Sequence, residues 1–230
     1  MKPIIGFAGD GHLMTHAFAA AKTKGFNCIK YKIGGGLGSG YCASDLKKCD
    51  IVYICPDRPS NIEPQQMVDL VLPHLRKDAV LVIHCQVEPG FTRQVNWRGI
   101  QLFYQVETLR MSDAEERALY PERIIIGNSG TCFWDSGFIE FLEAFNCPIL
   151  KMSYESAELA KIAINLYLAA QVSTTNTLAE IAEKIGANWN EIIPALQTDK
   201  RIGKEAYLQP GKFGPHLQRD VDCIKKLQKN

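Results

Sequence analysis

Two short runs, "DIVYIC" at residues 50–55 and "AVLVIH" at residues 79–84, constrain the fold most tightly. A strand with one wet face alternates apolar and polar residues. These runs are almost wholly apolar, as strands buried on both faces must be, and that burial is the condition of a parallel sheet covered by helices. Five further β-rich runs share the first 151 residues with them: 3–8, 26–31, 102–105, 123–127 and 148–151. Amphipathic stretches at 12–24, 64–75, 112–119 and 136–145 separate the strands. Strand and helix in alternation imply βαβ units. The expected fold class is α/β, a Rossmann-like, mostly parallel sheet over residues 1–151, followed by a helical dimerisation domain over residues 152–230.

The composition narrows the function. A net charge of +1 gives no sign-biased field with which to hold nucleic acid or an anionic membrane. The eight cysteines lie at 28, 42, 49, 55, 85, 132, 147 and 223, with no C-x-x-C pair and no dense framework. Several fall inside apolar strand runs, so they read as buried thiols of a reducing compartment. No leader pattern and no apolar run of ~18 residues is present. A cytoplasmic protein is the expectation.

The segment "GFAGDGHLMTHAFAAAKTKGFN", residues 6–27, places Gly9-Asp10-Gly11 between a strand and a helix. This is the context in which G-x-G-x-x-G binds a dinucleotide. Gly9 allows the tight turn, and Gly11 lets a pyrophosphate approach the N–H groups at the helix start, where His12 and Leu13 follow. Met14 stands where the third glycine is expected. It must either push the helix outward or fill the gap with its own flexible side chain. The second strand ends in Lys30 and Lys32, not in the acid that would bind an adenosine ribose. A cation there suits a 2′-phosphate, so NAD or NADP is the expected cofactor, with NADP favoured; a scaffold that binds neither is the alternative.

From residue 153 to Gly186 the chain follows one helical pattern, which Ser153 or Ser156 could cap. Its apolar residues, Leu159, Ile162, Ala163, Leu166, Tyr167 and Ala170, cover more than one face, so a partner subunit is expected to pack there. Lys161 and Asn165 lie one turn apart, where an ammonium and an amide can aim at one substrate hydroxyl or its oxyanion. Equally, they can be ordinary polar residues of a solvated face.

The whole chain resembles the UDP-glucose/GDP-mannose dehydrogenase family. "CDIVYICPDRP" is similar to its strand and V-P-T-P loop, "VIHCQVEPGFTRQV" to its S-T-V-x-P-G-T segment, and "YQVETLRMSDAEERALYPERIIIG" to its P-E-F-L-R-E…R-I-V-I-G stretch. "SAELAKIAINLYLAAQVSTTNTLAEIAEKIGAN" resembles its central dimerisation helix, and "DKRIGKEAYLQPGKFGPHLQRDV" its catalytic-cysteine loop. The resemblance implies a homodimeric oxidoreductase acting on a sugar or sugar nucleotide. Glu107, Lys161, Asn165 and Asp220 match its catalytic residues. Its cysteine position holds His216, either a replacement acid or base or a tolerated loop residue. Arg58 and Gln86 replace two threonines near the family's nicotinamide, and Met111 replaces a second glutamate. The match ends before the family's C-terminal nucleotide-sugar domain, which the resemblance implies is lacking.

Without the thiolate a four-electron oxidation is not expected, whereas a two-electron alcohol or carbonyl hydride transfer is. A catalytically inactive homologue that binds a nucleotide or a partner protein is the rival reading. His12 and His16, one turn apart, have no third ligand in the sequence, so no metal is expected. "GGGLGSG" at residues 34–40 reads as a surface loop more readily than as a phosphate cradle, since it follows the second strand.

Overall fold

The computed structural model describes residues 1–32, 43–56, 63–99, 101–130, 133–212 and 220–224. The chain divides into two compact units, 1–161 and 162–230, inside one long helix. The sequence expectation set its boundary earlier, after residue 151.

The first unit holds seven strands: β1 (Ile4–Gly9), β2 (Asn27–Lys32), β3 (Ile51–Cys55), β4 (Val80–Ile83), β5 (Gln101–Gln105), β6 (Ile124–Asn128) and β7 (Ile149–Ser153). They form one sheet in the order β2-β1-β3-β4-β5-β6-β7. Every pairing is parallel except β5 with β6, which is antiparallel. The expected α/β fold with a mostly parallel sheet is therefore present. Its helices are α1 (His12–Thr23), α2 (Pro64–Val71), α3 (Phe91–Gln94), α4 (Ala114–Leu119) and α5 (Ser136–Glu143), with 3-10 turns at Ala43–Lys48 and Leu72–His74.

Side-chain alternation explains why the central strands are apolar throughout. Phe7, Tyr53, Val82 and Phe103 share one core with Leu13 and Met14 of α1 and Phe138 and Phe141 of α5. The alternate set, Val52, Ile54, Leu81 and Ile83, is equally buried on the opposite face. Each such side chain contributes about 1.5–3 kcal/mol on burial. Met14 is buried in the first core, and a Cβ placed on Gly9 would lie 3.2 Å from the Met14 Cβ. Met14 thus fills the gap between helix and strand.

Helix α6 (Tyr154–Ile185) follows β7 directly. The Ser153 hydroxyl accepts from the Ser156 N–H at 3.3 Å, so Ser153 caps it. Gly186, at φ +76°, ends it, and the Ala187 N–H reaches back to the Ala182 carbonyl at 2.8 Å.

In the second unit, α7 (Trp189–Thr198) and the segment after it fold back on α6. Asn176 exchanges two hydrogen bonds with the Gly211 backbone, at 2.7 and 2.8 Å. The Thr175 hydroxyl donates to the Tyr207 carbonyl at 2.6 Å, and the Trp189 indole to the Leu208 carbonyl at 2.8 Å. Tyr167 and Ile185 of α6 remain exposed. Among the described residues no helix is long and apolar enough to cross a membrane.

Candidate active site

Strand order reverses at β1, with β2 on one side and β3 on the other. In open α/β sheets a dinucleotide binds at such a switch point, outside the carboxyl ends of the strands. Gly9 is the last residue of β1, paired with Lys32 of β2 and Cys55 of β3. A Cβ on Gly9 would lie 2.2 Å from the Cys55 carbonyl oxygen, so only glycine lets these strand ends approach. Asp10 and Gly11 complete the turn. Gly11 is the N-cap of α1 with φ −154°, provides no side-chain cap, and no acid occupies the first helical turn. A twelve-residue helix that opens at the switch point on a residue without a side chain fits a pyrophosphate, which the backbone around Gly11, His12 and Leu13 would receive.

Lys32, at the end of β2, is exposed, whereas the Lys30 ammonium lies 4.2 Å from the Phe18 ring centroid. Of the two lysines, Lys32 is therefore the one open to solvent at the strand end. Gln86 is half-buried in the segment after β4. His12 and His16 pack edge to face, with ring centroids 4.3 Å apart.

On the other side of the switch point, polar groups gather in the first unit. The Lys161 ammonium of α6 lies 3.3 Å from Glu107 Oε2, just beyond β5, with the two side chains 12% and 20% exposed. Glu107 Oε1 accepts from the Leu109 backbone N–H. One carboxylate oxygen thus anchors the side chain while the other orients the ammonium. Burial raises the strength of such a pair and also the penalty for removing one partner.

His84 ends the β4 run, 7% exposed, with its ring against Tyr53 at 5.7 Å between centroids. Its Nδ1 has no hydrogen-bond partner. Desolvation, helped by the nearby Lys161 ammonium, lowers its pKa to about 4, so the imidazole is neutral at pH 7. With Tyr53 and Gln105, whose side chains share a 2.9 Å hydrogen bond, His84 lines a cavity of about 60 Å³.

In the second unit the Asn165 amide donates to the Asp220 carboxylate, both groups being buried. Two site candidates, Arg58 and His216, and the glycine loop at 34–40 lie outside the described residues. The sequence reading missed Glu158, a fully buried carboxylate of α6 that caps a loop of the first unit. Its position three residues before Lys161, on the same helical face, was the available signal.

Residues 155–230 match the central domain of the UDP-glucose/GDP-mannose dehydrogenase family. The chain is 27% identical over 210 residues to a UDP-glucose 6-dehydrogenase of Rickettsia typhi, covering 82% of this chain and 47% of that protein. It is 35% identical over 127 residues to UDP-glucose 6-dehydrogenase TuaD of Bacillus subtilis, covering 54% of this chain and 27% of that protein. It spans about half the length of the first curated relatives it matches.

A UDP-glucose dehydrogenase structure from Pyrobaculum islandicum superposes with a TM-score of 0.82 at 20% identity, covering 100% of this chain and 64% of that one. A Mycobacterium tuberculosis 3-hydroxyisobutyrate dehydrogenase structure with L-serine does so at 0.72 and 14% identity, covering 99% of this chain and 87% of that one. At these identities the structures establish the shared fold alone. By sequence, residues 155–230 are similar to the central domain of the UDP-glucose/GDP-mannose dehydrogenase family, and about four fifths of the chain is similar to UDP-glucose 6-dehydrogenases.

Proposed function

We propose that the protein is an oxidoreductase that transfers hydride between NAD or NADP and a carbon–oxygen centre of a sugar or sugar nucleotide. The observation that carries this reading is the Glu107–Lys161 pair: an ammonium oriented by an anchored carboxylate, on the far side of the glycine turn from the exposed lysine of β2. The nicotinamide, when bound, supplies the hydride acceptor or donor. Lys161 hydrogen-bonds the substrate hydroxyl oxygen and stabilises the negative charge that develops there as the C–H bond breaks. Glu107 keeps the ammonium directed, and either member of the pair can relay the hydroxyl proton.

A two-electron step is the reading we favour, because His216 occupies the position at which the resembling family carries its thiolate. Asn165 with Asp220, the second unit's own buried polar pair, is a further candidate for handling substrate, and His216 is an alternative acid or base. Arg58 and Gln86 are assigned to the nicotinamide side, and Lys32 favours NADP. The exposed apolar residues Tyr167 and Ile185 of α6 support a homodimer.

Fluorescence titration with NADH and NADPH tests the reading. Saturable binding that disappears in Gly11→Val is expected. Absence of binding at millimolar cofactor would leave only the rival, an inactive homologue that binds a nucleotide or a partner. The rival draws support from the replaced residues His216, Arg58 and Gln86.

A further inference from the structure

Glu158 is the one charged side chain in the first unit's described residues that is wholly removed from solvent. Burying a carboxylate is costly unless its oxygens find donors. Here Oε2 accepts from the Gly90 N–H at 2.5 Å and Oε1 from the Thr92 N–H at 2.8 Å. Gly90 sits in the left-handed region at φ +95°, the turn that brings both N–H groups to one carboxylate. The neighbouring Arg93 guanidinium pairs with Glu155 of α6, Nη2 to Oε2 at 3.0 Å. Glu155, Glu158 and Lys161 recur every three residues along α6. The first two hold the segment after β4, and the third holds Glu107 after β5.

A pyrophosphate at the start of α1 and an adenosine over β2 would leave the nicotinamide half over the ends of β3 and β4. The segment running from Gln86 to Thr92 leaves β4 there. Resting on the proposed cofactor reading, we infer that Glu158 is a positioning residue for the nicotinamide end of the site. Its carboxylate fixes the backbone at Gly90 and Thr92, and so sets the Gln86–Val87 backbone that would meet the ring. Because Lys161 lies on the same stretch of α6, one rigid element fixes both the ring's resting surface and the ammonium that faces the substrate.

The test compares NADH with ADP-ribose, which lacks the nicotinamide, on the full chain and on Glu158→Gln and Glu158→Ala. A tenfold change in Kd corresponds to about 1.4 kcal/mol, the scale of a lost hydrogen bond to a charged group. Glu158→Ala should weaken NADH about tenfold and ADP-ribose less than twofold, with Glu158→Gln in between because it keeps one acceptor. Equal weakening of both ligands, or none in either, overturns the proposal. If the variants do not fold, hydrogen exchange on the unmodified protein decides. Slow exchange at Gly90 and Thr92, slowed further by NADH but not by ADP-ribose, supports it; fast exchange there refutes it. Failure of the unmodified protein to bind either ligand overturns both this inference and the cofactor reading, whereas binding with no response at Glu158 removes this inference alone.

Discussion

The two sides of the switch point invest differently in polar groups. On the β2 side the charges stay near water: Lys32 is exposed, and Lys30 spreads its stem and ammonium over Phe18. Beyond β4 and β5, by contrast, Glu158 and His84 are buried and Glu107 and Lys161 half-buried. Each of the two carboxylates there meets backbone N–H donors, Leu109 for Glu107 and Gly90 with Thr92 for Glu158. Buried charge survives only where donors and counter-charges have been placed for it. One side therefore needs little more than a backbone turn, and the other needs particular side chains. A dinucleotide's phosphates can be held by N–H groups of nearly any sequence, whereas proton and charge handling cannot.

The sharpest way to break this contrast is to remove the ammonium. Lys161→Ala should lower turnover of any accepted substrate by about 10²–10⁴, while leaving cofactor affinity within a few-fold. Glu107→Gln should cost less, since the amide oxygen can still face Lys161. A Lys161→Ala protein that turns over at the unmodified rate would take the chemistry away from this side of the sheet.

The next largest effect belongs to the glycine turn, and it is one of stability. Gly9→Val drives a side chain into the Cys55 carbonyl, 2.2 Å from the new Cβ, in the tightest part of the β1–β3 pairing. Overpacking of this kind costs about 1–3 kcal/mol or more, read as a lower urea midpoint. Cofactor loss without any stability loss would show that Gly9 serves the ligand alone.

The same difference explains what could be read from the sequence. Strands such as "DIVYIC" and "AVLVIH" announce two-sided burial through composition alone, and their alternate residues do pack on opposite faces. The long helix was legible from Ser153 to Gly186 because its cap and its terminator are local signals. The reversal at β5–β6 was not legible, since strand direction depends on where the chain returns and not on the strand's own residues. Lys161 and Glu107 were drawn from separate segments by resemblance, and their 3.3 Å approach is a tertiary fact. Glu158 escaped notice because an acid on a polar-looking helix reads as solvated until the loop that covers it is in place.

His84 sharpens the comparison through pH. Its unfolded imidazole takes a proton near 6.5, whereas the folded one resists until about 4. The unfolded chain therefore binds more protons between those values, and stability declines as pH falls through that window; above 6.5 the stability is fully present. Urea melts should lose about 2 kcal/mol between pH 7.5 and pH 5 from this group, on the order of its share of the shift. His84→Gln should flatten that slope, and an unchanged slope would show that His84 is hydrated.

The smallest effect tests the wet side. Lys32 is exposed, so its attraction for a 2′-phosphate is worth only about 1 kcal/mol and is screened by salt. Lys32→Glu should shift the NADPH-to-NADH affinity ratio toward NADH by about tenfold at low ionic strength, and by less at high salt. A ratio that ignores both the substitution and the salt would remove Lys32 from the site. A shift that ignores salt alone would mean the lysine is enclosed once cofactor binds. The two sides would then differ less in burial once cofactor is in place, and the contrast between a backbone side and a side-chain side would narrow on binding.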